Sequence, residues 1–328
     1  MTEPIPVAVV GSGYYGSRHV AKYRALPGAR LVAVVDVDPA RARAALGDHP
    51  AEILTDPRQL AGKVRAASVA VPTTAHRDVV VGLLEAGIDV LVEKPIATTV
   101  REAQDMVAVA TRRGCVLQVG HLERFNPVIQ AVEGQITRPL FAEVQRMGPY
   151  TQRASDVDVV LDLMIHDLDL LLHWMDEPVR FVHAVGVAVV TSNVDIANAR
   201  IEFEGGCVAN VTASRVSVDR TRKVRLFQPS GYWSLDLDRK SASGFRHTPA
   251  ADGGTQSTIE PAFVEIVDSD ALASEIASFL ERVRDRARPV VSGDDGRRAL
   301  GLAHQILASM AEHRDRVASR LGRGGIGS

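Results

Sequence analysis

The chain has 328 residues, 46% of them hydrophobic and 24% charged, with a formal net charge of -2. That length suggests about two domains with sizeable cores, the charge gives no general basic field for nucleic acid, and no apolar run approaches the roughly 20 residues that span a bilayer. Two cysteines, Cys115 and Cys207, are too few for a disulfide framework or a cysteine-metal cluster. With no signal-peptide pattern between Met1 and Pro6, a reducing cytoplasm is the simplest home.

The first element is the run Val7 to Val10, which passes straight into Gly11-Ser12-Gly13-Tyr14-Tyr15-Gly16 and then into the helical stretch Ser17 to Tyr23. Strand, glycine turn and helix in that order are the physical requirements of a dinucleotide site. Gly11 allows the tight turn, Gly13 admits a pyrophosphate close to the backbone, and Gly16 lets the helix sit on the strand. The N-H groups of the first helical turn, at Tyr14 and Tyr15, face the phosphates. The next strand, Leu31 to Val35, ends in Asp36. A carboxylate there accepts from the ribose hydroxyls and repels a 2'-phosphate, which favours NAD over NADP, although Arg41 and Arg43 lie close enough in sequence to pair with that phosphate.

Helices near Pro39 and after Thr55-Asp56-Pro57 follow, then a strand over 67–71, a helix over 75–86 stopped by Gly87, and a strand over 88–92. This last strand runs into Glu93-Lys94-Pro95. In parallel sheets ligands lie outside the carboxyl ends of the strands, so Lys94 faces a ligand crevice. A helix over 100–113 and a strand over 116–119 complete a doubly wound α/β architecture of the Rossmann kind, assigned to 1–122.

From 123 to 328 the rhythm changes to long strand-like segments at 139–147, 179–190, 198–204, 208–214 and 224–228. They predict an α+β substrate-binding domain with a large open, mostly antiparallel sheet. The Ser-, Gly- and Thr-rich stretch 238–258 reads as a loop. Two helices, at 272–286 and 294–314, precede a Gly-rich tail, 319–328, expected to be disordered.

One helix in this half carries Asp162, His166, Asp169 and His173 at i, i+4, i+7 and i+11, on one stripe opposite Met164, Leu168, Leu171 and Met175. Asp169 and His173 read as a solvated face. Asp162 one turn before His166 is an arrangement that orients an imidazole and raises its basicity, as a general base for an alcohol requires. Asp162 and Asp169 are about 10 Å apart along a helix axis at ~1.5 Å per residue, too far for one metal ion, so no metal is expected.

With the glycine turn, Glu93-Lys94-Pro95 and Asp162-x-x-x-His166 in this order, the chain resembles the Gfo/Idh/MocA oxidoreductases over nearly its whole length. The resemblance implies an NAD domain followed by an open-faced sheet domain that packs against another subunit as a homodimer or homotetramer. It places Glu93 and Lys94 at the cofactor, Lys94 also at the substrate, Asp162 and His166 across the substrate, and Thr73 and His76 near the nicotinamide ribose. The segments 119–127 (Val-Gly-His-Leu-Glu-Arg-Phe-Asn-Pro), 156–167, 195–200 and 213–217 resemble the branch of the family that oxidises C3 of UDP-N-acetylglucosamine for a partner aminotransferase.

A sugar nucleotide must meet cations, for which Arg124, with Asn126 beside it, and Arg215 are the candidates, the latter in a basic cluster with Arg220, Arg222, Lys223 and Arg225. Catalytic roles then fall to Lys94, Asp162 and His166, with either His166 or Lys94 as the base. Two other readings stay open: a dehydrogenase of a free polyol such as an inositol, and a non-catalytic NAD-binding sensor or corepressor.

Overall fold

The computed structural model describes residues 3–151, 157–248 and 258–323. The chain forms two compact units, Met1–Phe125 with Ser269–Leu300, and Asn126–Asp268 with Gly301–Ser328.

In the first unit, strands β1 (Ile5–Val10), β2 (Ala29–Val35), β3 (Glu52–Leu54), β4 (Ala66–Val69), β5 (Asp89–Glu93) and β6 (Leu117–Gly120) form one parallel sheet. Their order, β3-β2-β1-β4-β5-β6, reverses direction at β1, the switch point where ligands bind. Strands β1, β4, β5 and β6 are buried on both faces, which is why they read as apolar runs. The crossover helices are α1 (Tyr14–Ala25), α2 (Pro39–Leu46), α3 (Thr73–Glu85) and α4 (Val100–Arg113). The ends of α4 are fixed locally. Thr99 and Glu102 make a reciprocal capping box, and Gly114 closes the helix in the left-handed conformation at φ 63°.

The chain returns to this unit in α7 (Ala271–Asp285), where the sequence reading had assigned everything beyond 122 to the second domain. Ile276, Phe279, Leu280 and Val283 on one face of α7 join Val7, Val9, Val20, Tyr23, Leu31 and Val34 in one buried cluster. An amphipathic pattern shows that a helix has a core face but not which sheet it covers.

The second unit is built on a mixed sheet in the order β14-β13-β12-β11-β7-β10-β9-β8. Its strands are β7 (Phe141–Met147), β8 (Val179–Val187), β9 (Ile196–Phe203), β10 (Val208–Ser214), β11 (Thr221–Gln228), β12 (Gly231–Asp236), β13 (Ser241–Thr248) and β14 (Thr258–Ala262). β7 and β10 run parallel and every other pairing is antiparallel. Burial alternates along the strands, with Ala142, Val144, Ala199, Ile201, Val224 and Leu226 on the covered face. Helix α5 (Pro127–Val132), a π-helical turn (Val160–Met164) and α6 (Ile165–Met175) belong to this unit. The long α8 (Gly293–Arg323) begins in the first unit and continues in the second.

Two expectations are corrected. The stretch 238–258 is not one loop, because β13 occupies Ser241–Thr248 and β14 begins at Thr258, while 249–257 lie outside the described residues. β14 is the edge strand and β13 lies next to it; both are largely exposed, so they carry little of the apolar alternation by which a strand is read. The start of the expected tail, 319–323, is the last part of α8, and 324–328 lie outside the described residues.

Removing the α7 anchor tests the return of the chain to the first unit. Phe279→Ala should cost that unit about 3–5 kcal/mol, read as a lowered midpoint in chemical denaturation.

Candidate functional site

The glycine turn between β1 and α1 is shaped by contacts rather than by flexibility. Gly11 has φ +86°, and a Cβ on it would stand 2.6 Å from the Ala70 carbonyl oxygen; a Cβ on Gly16 would stand 1.8 Å from the carbonyl oxygen of Gly11. Gly13 has nothing within 4 Å of that position, so its backbone faces open space. The first intrahelical bond of α1 runs from Ser17 N to Gly13 O, which leaves the N-H groups of Tyr14, Tyr15 and Gly16 without helical acceptors. Open backbone at a helix N-terminus is the cradle a pyrophosphate needs, so the residues present fit NAD. Tyr14 and Tyr15, edge to face at 5.3 Å, are exposed beside it, with the Arg18 guanidinium 4.3 Å from the Tyr14 ring centre.

Asp36 follows β2 and is held on several sides. Its Oδ2 accepts from Ser12 N at 2.7 Å and from Ser12 Oγ at 2.6 Å, and its Oδ1 accepts from Asp38 N at 2.9 Å. Burial pushes this carboxyl up, but the bonds from Ser12 and Asp38 outweigh it and hold it below the usual carboxylate range. The anion therefore stands fixed at the edge of the turn. Arg41 pairs with Asp38 at 3.4 Å, an exposed contact.

The segment after β4 and the one after β5 are braced by one histidine. His76 in α3 is 1% exposed, with Nδ1 3.0 Å from the Pro95 carbonyl and Nε2 2.9 Å from the Val71 carbonyl. Burial lowers its pKa, against the two carbonyls that raise it. A neutral ring donates through one nitrogen, so His76 ties down one carbonyl at a time and leaves no edge for a cofactor. Thr73, in the first turn of the same helix, is half-buried.

Lys94 lies immediately beyond β5, half-buried, at the carboxyl end of the sheet. Its neighbour Glu93 reaches into the protein, to a buried histidine. The Glu93 carboxylate accepts from His19 Nε2 at 3.0 Å and is 12% exposed. Burial raises its pKa, yet the His19 hydrogen bond and the charge of Lys94 bring the carboxyl below its usual value. Glu93 thus reaches the sheet interior rather than the cofactor cradle, and His19 is a residue the sequence reading missed. Its signal is visible in hindsight, because His19 and Tyr23 are one turn apart and share the inward face of α1.

In the second unit Asp162 sits in the π-helical turn and His166 in the first turn of α6, both half-buried. Single π turns recur at functional sites, since the i to i+5 bonding displaces side chains from the helical register. The four-residue stripe does not continue as a solvated face. Asp169 is 2% exposed, whereas His173 is exposed, as expected, and pairs with Glu133. Apart from His166, α6 is buried all round from Ile165 to Leu172, so it is a core helix and not an amphipathic surface one. Asp167, also overlooked, is clamped by Arg146 of β7 through two bonds of 2.9 and 2.7 Å, both side chains nearly fully buried.

The expected phosphate contacts are placed as follows. Arg124, 7% exposed in a short 3-10 turn, donates to the Val290 carbonyl at 3.4 Å, and Asn126 caps α5 by accepting from Val128 N at 3.0 Å. Arg215 is 6% exposed, donates to the Val157 carbonyl at 2.6 Å and lies 3.9 Å from Asp195. Arg220 and Arg225 pair with Asp238 and Glu143. Arg215 is thereby built into the wall that carries the π turn.

A doubly wound NAD cradle, a lysine at the carboxyl end of β5 and a second, sheet-based unit bearing an Asp/His pair define a class: NAD-type dehydrogenases that act on sugar or polyol CH-OH groups. The chain belongs to the Gfo/Idh/MocA oxidoreductase family. Residues 5–121 match the model described as an oxidoreductase family NAD-binding Rossmann fold, and residues 128–232 match the GFO/IDH/MocA C-terminal domain. A UDP-N-acetylglucosamine 3-dehydrogenase of Acidithiobacillus ferrooxidans is 35% identical over 92% of this chain and 96% of its own. Its solved structure superposes with a TM-score of 0.86, covering 94% of this chain and 98% of that one at 32% identity. An inositol 2-dehydrogenase of Rhizobium meliloti is 27% identical over 93% of this chain and 97% of its own.

Because Asp36 is an anion already at low pH, its contribution to dinucleotide binding should be constant from neutral pH down through the ordinary Asp range and fade only below it. Asp36→Ala should weaken NADH binding by about 10–100-fold, the loss of a charged hydrogen bond worth about 1.5–3 kcal/mol, in a fluorescence titration.

Proposed function

We propose that this protein oxidises a sugar secondary alcohol with NAD, and that the substrate is UDP-N-acetylglucosamine, converted at C3 to the 3-keto sugar nucleotide. The observation that carries this reading is the whole-length similarity to a dehydrogenase of that activity. Bound NAD supplies the hydride acceptor. His166 accepts the proton of the C3 hydroxyl, Asp162 one turn earlier orients the imidazole and favours its charged form, and Lys94 donates a hydrogen bond to the oxygen as it becomes a carbonyl. Asp36 takes the adenosine ribose and sets the preference for NAD. The similarity to an inositol dehydrogenase supports the second reading, a free polyol as substrate on the same residues.

The open face of the second unit supports self-association. Phe141, Phe227, Tyr232 and Phe245 stand opposite one another on β7, β11, β12 and β13, on the face away from Val144, Leu226 and Trp233. Ring centres 5.6 and 4.8 Å apart join the first three into one aromatic row, with Phe227 39% and Phe245 49% exposed. Such a row left in water is the signature of a covered face, so the protein is a homodimer or homotetramer through this sheet. The 3-keto product is an electrophilic carbonyl suited to a downstream aminotransferase.

Mixing the protein and NAD with UDP-N-acetylglucosamine should raise absorbance at the NADH band, while free inositols give no signal; the reverse pattern would move the assignment to the polyol reading. Lys94→Ala and His166→Asn should each lower single-turnover NAD reduction by about 10²–10⁴-fold. Phe227→Glu should shift light-scattering mass to a smaller species.

A further inference from the structure

The end of β5 rests on a line of buried polar side chains for which the proposed chemistry has no direct use. His19 in α1 is 1% exposed. Its Nε2 is 3.0 Å from Glu93 Oε1, its Nδ1 is 3.0 Å from Ser68 Oγ, and Ser68 Oγ is 2.8 Å from the Tyr23 hydroxyl. An ionised carboxylate only accepts, so Nε2 carries the proton that faces Glu93. In the neutral imidazole Nδ1 then accepts from Ser68, and Ser68 accepts from Tyr23. The bonds run one way, Tyr23 to Ser68 to His19 to Glu93, and select a single tautomer.

The charges around Glu93 are set by four elements. Lys94 follows it just beyond β5, and His19 and Tyr23 come from α1. His76 of α3 is kept toward its neutral form by burial. Glu275 of α7 is 1% exposed, and its Oε1 has no hydrogen-bond partner among the described residues. Burial first, and the charge of Glu93 second, push the Glu275 carboxyl well above its usual value, so it is a neutral acid. Burial likewise pushes the Tyr23 phenol up. Of the two buried carboxyls Glu93 is the anion, and it lies one residue from Lys94.

Close packing fixes its position. Glu93 pairs with Gly120 of β6, where a Cβ would come within 3.3 Å of both Cα and Oε2 of Glu93.

We propose that His19 is a positioning residue for Lys94: by clamping the Glu93 carboxylate in one rotamer beneath the end of β5, it fixes where the lysine presents its side chain. This rests on Lys94 serving the reaction proposed above. The arrangement has the logic of a partner that orients a reacting group without touching the substrate. Its pH dependence has a definite sign. The folded-state pKa of Glu93 lies below its ordinary value, so the clamp is complete above that pKa and is lost as pH falls through it. Without the His19 donor the pKa rises, and the loss begins at higher pH.

His19→Leu removes both hydrogen bonds, whereas His19→Gln keeps an amide N-H near the place of Nε2. With NAD and the sugar that the wild-type protein turns over, His19→Leu is expected to lower kcat by about 10–100-fold, the range for such partners, with little change in KM. His19→Gln should recover most of kcat. Wild-type kcat in His19→Leu would overturn the proposal, as would equal losses in both variants at unchanged melting temperature.

A second readout needs no turnover. In the NADH-bound protein, the Glu93 carboxylate band, identified by infrared difference against Glu93→Gln, should titrate at higher pH in His19→Leu than in wild type. An unchanged midpoint overturns the proposal, and a raised midpoint in a protein that oxidises no sugar upholds the clamp while the functional reading alone fails. If His19→Leu does not fold, Ser68→Ala, which releases the tautomer, is read the same way and should shift in the same direction by less.

Discussion

The approach of α1 to the sheet, possible only because Gly16 has no side chain, is the contact on which the first unit depends. A Cβ at Gly16 would lie 1.8 Å from the Gly11 carbonyl oxygen, so any other residue there lifts the helix off β1. With the helix seated, Ser12 in the turn reaches Asp36 at the end of β2, and His19 one turn into α1 reaches Ser68 on β4 and Glu93 on β5. One close packing therefore sets two buried or half-buried anions: Asp36 at the edge of the turn and Glu93 at the end of β5. The N-terminus of the same helix fits a phosphate.

The second unit meets a different constraint, that of holding a short polar segment rigid inside a core. The π turn and α6 are fixed from both sides. Arg146 clamps Asp167, and Arg215 holds the Val157 carbonyl just ahead of the turn. Asp195 gathers the N-H groups of Val189, Val190 and Thr191 at 2.8, 2.7 and 2.8 Å, and these donors hold its carboxyl well below the usual range in spite of burial. Charges removed from water at such cost need paired partners, and Asp167 has one in Arg146.

Much of this was legible in the residues, and the legible parts share a cause. Elements set by local chemistry, such as α4 with its Thr99/Glu102 box and Gly114 stop, or the glycine turn with Asp36, were readable because the deciding atoms lie a few residues apart. What depends on distant packing was not. The amphipathic face of α7 gave its helix but not its membership of the first unit, and the bland strand β13 carried no apolar alternation. Asp169 read as solvated because it shares a helical stripe with Asp162, His166 and His173, yet it is 2% exposed. The same limit hid His19, whose inward face was recoverable from its spacing to Tyr23 but whose partners Ser68 and Glu93 lie on other strands.

In the proposed reaction Lys94 meets the reacting oxygen and a secondary alcohol carbon is the hydride source. UDP-N-acetylglucosamine labelled with deuterium at C3, incubated with NAD and the wild-type protein, tests this most directly. The account predicts NADH heavier by one deuterium and a primary isotope effect in single turnover; unlabelled NADH, or no NADH from this sugar nucleotide, would contradict it.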